Sequence, residues 1–194
     1  FIYAISSLGL VYLINKFPEH KEKFKLSYLG VPDFQRKIRS FPTGKYVVLT
    51  VSNIAEIKRL HLMIKIMNIL PKDKFKWIHI GDGKPELSNP IKELVASSPI
   101  DCEFLGHFQA KQIHDFYNQT DILCFVNLSY MEGVPVSIME SIMHGIPCIA
   151  TNVGGTSELI VHNSNGYLID QDFDPCYVAS LIEELSSNSE LWLK

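Results

Sequence analysis

The sequence lacks three features that would direct its interpretation at once. It has no apolar run long enough to span a bilayer, no cluster of lysine and arginine, and no repeat or low-complexity segment. The formal net charge of the 194 residues is −3, which argues against a nucleic-acid-binding surface. A hydrophobic content of 46% and a charged content of 20% are those of an ordinary globular protein.

Cysteine is scarce and its pattern is uninformative about metals. The sequence contains no CxxC pair, and two of its cysteines lie inside apolar runs, which favours buried free thiols in a reducing compartment over a disulfide framework or a zinc site. The histidines at 61, 79, 114 and 162 share no spacing typical of a metal site. We therefore expect neither a metal nor another cofactor. The four cysteines are Cys102, Cys124, Cys148 and Cys176.

The sequence also lacks an initiating methionine, and its apolar opening lacks the basic residues that begin a signal peptide. Residues 1–5 have the pattern of a short buried strand. Ser6 and Ser7 are candidate caps for a helix that runs to about Lys16. Residues 34–44 are polar and irregular, as in a linker. We expect the chain to be a fragment of a longer protein.

Beyond the linker, apolar runs alternate regularly with segments of helical periodicity. The runs are apolar on both faces, which predicts α/β architecture with a parallel sheet covered by helices on two sides. Strands are predicted over residues 46–51, 76–80, 101–105, 122–126, 147–150 and 166–169. Helices are predicted over residues 57–70, 90–97, 111–118, 135–144, 156–161 and 175–185.

The segments of chemical interest all follow predicted strands. In parallel α/β sheets the carboxyl ends of the strands meet at one edge, and ligands bind outside that edge. The clustering of these segments therefore predicts a binding cleft there, and it is a stronger signal than any single motif. The segments are residues 52–58, 81–83, 106–109, 127–135 and 152–158.

Residues 130–145, YMEGVPVSIMESIMHG, carry the most distinctive pattern. Glu132 and Glu140 are separated by seven residues, Pro135 marks a helix start, and Gly145 marks its end. The free amides and dipole at a helix start suit an anion such as phosphate, and carboxylates bind hydroxyl groups strongly. The pattern suggests a ligand that is phosphorylated and rich in hydroxyls, although an ordinary capped helix is the alternative.

Helical periodicity also predicts the faces of that helix. At ~100° per residue, its apolar residues form one arc, and Glu140 lies at the border, where a carboxylate can be half buried. His144 is predicted on the polar face near the helix C-terminus, where it interacts favourably with the dipole. The predicted apolar arc is Pro135, Val136, Ile138, Met139, Ile142 and Met143, and the predicted polar face is Ser137, Ser141 and His144.

The segment EGVPVSIME resembles the E-x7-E motif of retaining GT-B glycosyltransferases of family 4. The segments VSNIAEIKR, HIGDG, EFLGHF, the stretch through GIPCIATNVGGTSELI, and NGYLI are similar to the same family in register, over about residues 45 to 185. The resemblance implies a Rossmann-like parallel sheet flanked by helices, the C-terminal half of a GT-B fold. Residues 1–40 would be the tail of an N-terminal acceptor domain and its hinge, and residues 41–194 the nucleotide-sugar donor-binding domain.

The resemblance also implies roles for individual residues. Glu132 would contact the hydroxyls of the donor sugar, Glu140 the ribose, and Lys58 the diphosphate. A leaving nucleoside diphosphate gains negative charge, which a fixed cation and a helix start can stabilise without a metal. Glu132 and Lys58 are thus the implied catalytic residues. The implied donor-binding residues are Asn53, Lys58, His107, Phe108, Glu132, Gly133, Val134, Pro135 and Glu140.

One position departs from the family pattern. The family usually has Gly-Arg before the lysine, whereas this sequence has Ser52 and Asn53. Asn53 can donate a hydrogen bond but carries no charge. Arg59 is expected to point elsewhere because it neighbours Lys58 on the chain. The departure implies that the diphosphate is held more weakly or that another cation helps.

The implied function is retaining transfer of a sugar from a UDP-sugar to an acceptor hydroxyl in bacterial surface polysaccharide synthesis. The acceptor, a carbohydrate or a lipid-linked molecule, would be held by the N-terminal domain, so this fragment alone is expected to bind donor weakly and transfer nothing. A cytoplasmic location is expected, with the full-length protein peripheral to the inner face of the plasma membrane.

Three alternatives remain open. A sugar-nucleotide epimerase shares the GT-B architecture, but the register of the two glutamates argues against it. A non-catalytic nucleotide-sugar binding module is favoured only by Asn53. A dinucleotide-binding domain would need GxGxxG after its first strand, and VSNIAEI lacks it.

Overall fold

Two parallel sheets of unequal size organise the chain. The structure, a computed structural model, describes residues 1–32, 35 and 37–193. Strands β1 (Ile2–Ala4) and β2 (Phe24–Leu26) form a two-stranded sheet. A second sheet has six strands in the order β5-β4-β3-β6-β7-β8, all paired in parallel. Its strands are β3 (Tyr46–Val51), β4 (Phe75–Ile80), β5 (Cys102–Phe104), β6 (Ile122–Asn127), β7 (Cys148–Thr151) and β8 (Gly166–Ile169).

Helices connect the strands and cover both faces of the six-stranded sheet, as the sequence predicted. Successive residues of β3 illustrate the two faces, because Val48 packs into one core and Leu49 into the other. The helices are α1 (Ser7–Lys16), α2 (Leu60–Ile69), α3 (Pro85–Ala96), α4 (Ala110–Gln119), α5 (Val136–Met143), α6 (Pro175–Ser187) and α7 (Ser189–Trp192), with short 3-10 helices at Pro18–Lys23, Glu56–Lys58 and Gly154–Glu158.

Helices α2 and α3 begin a full turn or nearly so from their predicted starts, and the helix predicted over residues 156–161 is instead the 3-10 helix Gly154–Glu158. Helix α2 begins at Leu60 rather than at residue 57, because Arg59 adopts a left-handed conformation with φ 50° and separates a 3-10 turn from the helix. Helix α3 begins at Pro85, where proline suits the first helical position, and Pro90 lies inside it. The prediction that α3 starts at residue 90 was wrong by more than one turn.

In the N-terminal segment Ile2–Ala4 forms the predicted strand, but the prediction that this strand is buried was wrong, because Ile2 and Tyr3 are 53% and 62% exposed. Ser6 caps α1, and its hydroxyl accepts a hydrogen bond from the amide of Gly9 at 3.0 Å. No residue of α1 is buried, and the apolar side chains of Leu8 and Val11 are 56% and 53% exposed. The predicted boundary at residue 40 stays a prediction.

The predicted linker over residues 34–44 falls partly outside the described residues, which exclude Asp33, Phe34, Arg36 and Lys194. Residue 35 and residues 37–44 form no helix or strand.

All four cysteines are free thiols, and Cys124 and Cys148 are buried as predicted. Residues 1–32, 35 and 37–193 contain no group of three or more histidine, cysteine, aspartate or glutamate side chains placed to hold a metal ion.

No helix in the described parts of the chain combines the length and apolarity that crossing a membrane requires.

Candidate functional site

The strand order creates a crevice between β3 and β6. The chain runs outward from β3 through β4 to β5, and then returns to place β6 on the other side of β3. The loops that leave the carboxyl ends of these two strands diverge, which is where open α/β sheets bind ligands. The two loops are joined by a hydrogen bond of 2.7 Å from the amide of Tyr130 to the carbonyl of Ile57.

Lys58 and Glu132 meet in this crevice. The ammonium nitrogen of Lys58 lies 2.7 Å from Oε1 of Glu132, and the two side chains are only 17% and 10% exposed. They come from different loops, 74 residues apart in sequence. The fold therefore brings together the two residues that the family resemblance marked as catalytic.

Three donors converge on one oxygen of Glu132. Besides Lys58, the hydroxyl of Ser129 donates to Oε1 at 2.6 Å and the side-chain amide of Asn127 donates at 3.1 Å. Burial raises the pKa of the Glu132 carboxyl, but the hydrogen bonds from these three residues outweigh burial and hold that pKa below its usual value. Glu132 is therefore ionised at neutral pH. Its second oxygen, Oε2, has no hydrogen-bond partner among the described residues and is available to a ligand.

Glu140 is placed differently. It lies on α5 and is 9% exposed, which is somewhat deeper than the half-buried position that the helix pattern predicted. Burial raises the pKa of its carboxyl. The described part of the chain supplies no hydrogen-bond partner to that carboxylate. A hydroxyl donor from a ligand would relieve the cost of its burial.

The predicted faces of α5 were wrong on the polar side. Ser141 and His144 are buried, whereas Val136 is 45% exposed. Helix α4 packs against α5 there and supplies polar partners. The Tyr117 hydroxyl lies 2.9 Å from that of Ser141, and His114 Nδ1 lies 2.9 Å from His144 Nε2. The Tyr117 ring also stacks on His144, with 4.8 Å between ring centroids.

The start of α5 lies four residues after Glu132 along the chain. The helix begins at Val136, one residue later than predicted, with Pro135 as its N-cap. The first amides of a helix have no acceptor within it. The preceding turn is fixed by the 3-10 helix Gly154–Glu158 that follows β7, because the amide of Gly155 donates to the carbonyl of Gly133 at 2.6 Å. A side chain at Gly155 would collide with that carbonyl and with the Val134 side chain, so glycine is required at this close approach.

The other predicted donor-binding residues lie on the same edge of the sheet. Asn53 is exposed on the loop after β3. His107 is exposed on the loop after β5, and Phe108 packs edge-on against Phe116, with 6.2 Å between ring centroids. Within the described chain, no hydrogen bond joins Asn53, His107 or Phe108 to Lys58 or Glu132. A ligand that touched all of them would have to span the edge from β5 to β6.

Arg59 is held away from the crevice, as predicted. Its guanidinium donates to the carbonyls of Leu128 at 2.6 Å and Gln171 at 2.8 Å, and it lies over the ring of Phe173. Its Nε and Nη1 are engaged by backbone carbonyls, whereas Nη2 is buried without a hydrogen-bond partner among the described residues. Held in this way, Arg59 does not supply the charge that Asn53 lacks.

Sequence reasoning missed three participants. Asn127 and Ser129 hold Glu132, and Glu158 holds the start of α1 by accepting from the amide of Ser7 at 3.0 Å. A serine three residues before a glutamate, and an asparagine at the end of a buried strand, were the available signals for the first two. Nothing in the sequence pairs Glu158 with a residue at the other end of the chain.

These features define a GT-B-type α/β domain with a polar crevice at its strand-order reversal. The chain belongs to the family described as Glycosyl transferases group 1, which matches residues 32–193. The predicted fold class is confirmed, and so is the resemblance to glycosyltransferases at the level of this family.

Individual relatives agree with this assignment. The amylovoran biosynthesis glycosyltransferase AmsK of Erwinia amylovora is 29% identical over 175 residues, which are 85% of this chain and 42% of AmsK. TarM of S. aureus, solved with fondaparinux, alpha-GlcNAc-glycerol and UDP, superposes with a TM-score of 0.83 at 20% identity, over 98% of this chain and 38% of TarM. HepE of Anabaena, solved with UDP, superposes with a TM-score of 0.81 at 18% identity, over 98% of this chain and 55% of HepE. The chain thus spans about half or less of the length of these proteins.

Proposed function

We propose that the chain is the donor-binding half of a retaining glycosyltransferase that uses a nucleotide-sugar, with a UDP-sugar as the donor and without a metal. The observation that carries this proposal is the ionised, largely buried Glu132 paired with Lys58 in the crevice. HepE, a protein of the same fold, has been solved with UDP-glucose, which supports the choice of donor.

Each side chain receives a role that suits its chemistry. Lys58 binds the diphosphate, together with the free amides at the start of α5. Glu132 accepts hydrogen bonds from sugar hydroxyls through Oε2, and Glu140 accepts from the ribose. His107 and Phe108 lie farther along the edge, where the base would extend, and Asn53 offers a neutral donor to the phosphates.

The transfer breaks the bond between the anomeric carbon and the diphosphate oxygen, and the electron pair goes to that oxygen. Lys58 and the α5 amides stabilise the negative charge more strongly in the transition state than in the donor, which is the condition for catalysis. Because the pKa of Glu132 is held low, its carboxylate orients hydroxyls and is a poor general acid. The acceptor hydroxyl bonds to the anomeric carbon on the face that the diphosphate left, and its proton passes to the oxygen of the departing diphosphate.

The acceptor site belongs to the rest of a longer protein. Residues 1–40 contribute a piece of that acceptor domain, and the exposed apolar side chains of α1 and β1 suit further packing there. Surface polysaccharide synthesis is the process we propose, by analogy with AmsK, with a carbohydrate or lipid-linked acceptor. We place the full protein in the cytoplasm, peripheral to the inner face of the plasma membrane.

A non-catalytic nucleotide-sugar binding module is the second candidate. The observation that favours it is the uncharged Asn53 together with the engagement of Arg59 by the carbonyls of Leu128 and Gln171. Both candidates predict donor binding, and they differ in whether a full-length protein transfers the sugar.

A calorimetric and thermal-shift panel of UDP, GDP, ADP, their sugars and NAD tests the proposal, because a ligand of the native fold raises the melting point. We expect UDP and a UDP-sugar to bind. Lys58→Ala should weaken the affinity for UDP by about tenfold, which corresponds to the loss of one charge-assisted hydrogen bond. Lys76→Ala is the matched control, since Lys76 forms a 2.6 Å pair with Glu103 on β4 and β5. A shift with NAD alone would refute the proposed function.

A further inference from the structure

The three donors on Glu132 Oε1 differ in a way that suggests a division of labour. Two of them, Asn127 and Ser129, are neutral and belong to the segment that carries Glu132. The third, Lys58, is a cation on another loop. Building on the proposed function, we propose that Asn127 and Ser129 are positioning residues, which keep Glu132 aimed at the donor sugar while Lys58 leaves it for the diphosphate.

The two neutral donors are fixed by contacts of their own. Oδ1 of Asn127 accepts from the amide of Ser129 at 3.0 Å, so its NH2 group must face Glu132. The carbonyl of Ser129 accepts from the hydroxyl of Thr151 on β7 at 2.6 Å. Ser129 and Thr151 are each 1% exposed, and Asn127 is 9% exposed. The two donors are therefore part of the rigid edge of the sheet.

Lys58 is held less firmly. Its one hydrogen bond within the described chain is to Glu132, and it lies at the end of the 3-10 turn Glu56–Lys58, outside any longer helix. An ammonium group donates from a flexible four-carbon side chain and can be redirected without moving the backbone. A diphosphate beside it would compete with the carboxylate for the same three protons.

The exchange leaves Glu132 with two donors. An ionised carboxylate only accepts hydrogen bonds, so the Ser129 hydroxyl must donate to Oε1, and its proton is not available elsewhere. With Oε1 held by Ser129 and Asn127, the carboxylate keeps its orientation and presents Oε2 to a sugar hydroxyl. Without them, Lys58 would be the remaining partner of a carboxylate that is 10% exposed, and its transfer to the diphosphate would leave that charge unpaired.

A double-mutant cycle on donor affinity tests this inference. We expect Ser129→Ala to weaken the affinity for UDP-glucose by about tenfold in the wild-type background, because it removes one hydrogen bond to a charged group. In a Glu132→Ala background the Ser129 hydroxyl has no carboxylate to hold. There we expect Ser129→Ala to change the affinity for UDP-glucose by less than about twofold, because the effects of two interacting residues are not additive. Equal losses in the two backgrounds would mean that Ser129 acts on the fold alone, and would overturn the inference.

Two further variants sharpen the cycle. Ser141→Ala removes an equally buried serine hydroxyl, one that bonds to Tyr117, and should leave UDP-glucose affinity unchanged in both backgrounds. Asn127→Asp keeps the acceptor for the Ser129 amide but replaces the donor to Glu132 with an anion. Asn127→Asp should weaken the affinity for UDP-glucose more than Ser129→Ala does. An affinity equal to or higher than that of Ser129→Ala would contradict the role assigned to Asn127.

A ligand-free measurement separates this inference from the proposed function. Carbon-13 NMR titration should show that adding Ser129→Ala to Lys58→Ala raises the pKa of the Glu132 carboxyl above its value in Lys58→Ala alone, because the Ser129 hydroxyl stabilises the carboxylate. If wild type binds no nucleotide-sugar while this pattern holds, the donor assignment fails and the holding role stands. An equal pKa of Glu132 in Lys58→Ala and in the double variant would refute the holding role.

Discussion

Glu158 holds the N-terminal segment to the donor side of the fold by accepting a hydrogen bond from the amide of Ser7 at 3.0 Å. Its other oxygen accepts from the amide of Leu8 at 3.4 Å. These amides open helix α1, where free N–H groups and the positive end of the dipole favour an anion. The bond from Ser7 is the main reason that the pKa of the Glu158 carboxyl is lowered.

Glu158→Gln should weaken this link by about 0.3–1 kcal/mol at low ionic strength. The amide side chain can still accept a hydrogen bond but lacks the charge that the helix dipole favours. The loss should shrink at high salt, because the contact is exposed and screened. Urea denaturation at two salt concentrations measures it. The control is Glu93→Gln, on the exposed side of α3, which should lower the free energy of unfolding by less at both salt concentrations. An equal loss for the two variants would contradict the capping role of Glu158.

Arg39 provides a second link, between the linker and two helix ends. Its guanidinium donates to the carbonyls of His144 at 2.6 Å and Thr120 at 3.2 Å, and also to that of Tyr117. These carbonyls lie at the C-termini of α4 and α5, where a cation complements the dipole. The predicted hinge is therefore fastened to the sheet domain just before its first strand.

Arg39→Lys should destabilise the fold by about 1.5–3 kcal/mol, because an ammonium group cannot reproduce the planar fork that reaches three carbonyls. Urea denaturation with an unchanged m-value is the measurement. Lys37→Ala is the control two residues away. The Lys37 side chain forms an exposed pair with Asp121 at 3.5 Å, and its loss should cost about 0–1 kcal/mol; the backbone hydrogen bond from Lys37 to Asn118 is retained in this variant. Comparable losses for both variants would mean that the three carbonyl contacts are unimportant.

The strands and their edge were predictable from sequence, and the polar interior was not. Apolar runs such as Tyr46–Val51 matched strand β3 because a sheet buried on both faces needs little else. The faces of α5 were misjudged because periodicity treats serine and histidine as surface residues, while Tyr117 and His114 on α4 satisfy Ser141 and His144 in the interior.

The candidate site was predicted in part, for a related reason. The resemblance to a family supplied Lys58 and Glu132, and their 2.7 Å contact supports treating them as one unit. The convergence of Asn127 and Ser129 on a single oxygen depends on side-chain directions that periodicity cannot give. The left-handed conformation of Arg59 could not be predicted either, because a 3-10 turn and a helix start have the same sequence pattern.

His79 should make the fold sensitive to acid. It is fully buried, and its Nδ1 lies 2.8 Å from the hydroxyl of Thr50, which accepts from the indole N–H of Trp77. When His79 is neutral, its Nδ1 can accept a hydrogen bond from the Thr50 hydroxyl. Burial lowers the pKa of His79 to about 4.

The sign of this effect follows from linkage. The folded pKa lies below the unfolded value of 6.5, so the stabilisation is complete above about pH 6.5 and is lost as the pH falls toward 4. The full loss is about 3 kcal/mol. Urea denaturation at pH 7 and pH 5 should give a smaller pH difference for His79→Gln than for wild type. An unchanged difference would show that His79 is not the titrating group.

Glu140 and Glu132 should respond oppositely when each is replaced by glutamine. Burial raises the pKa of Glu140, so its contribution to stability is present below the unfolded pKa of about 4.5 and is lost as the pH rises through the folded value. At pH 7 the ionised Glu140 is buried at a cost that Glu140→Gln removes. We expect that variant to melt a few degrees higher at pH 7 and to show no gain at pH 4.

Function should move in the other direction for Glu140→Gln. If the Glu140 carboxylate accepts hydrogen bonds from the ribose, Glu140→Gln should weaken the affinity for UDP by about tenfold while it makes the protein more stable. Glu132→Gln should instead lower the melting point at pH 7, because the hydrogen bonds from Lys58, Ser129 and Asn127 keep its pKa low. Calorimetric titration and thermal melts on the same samples measure both quantities. A Glu140→Gln variant that is more stable and binds UDP as tightly as wild type would show that Glu140 is a buried charge without a role in the donor site.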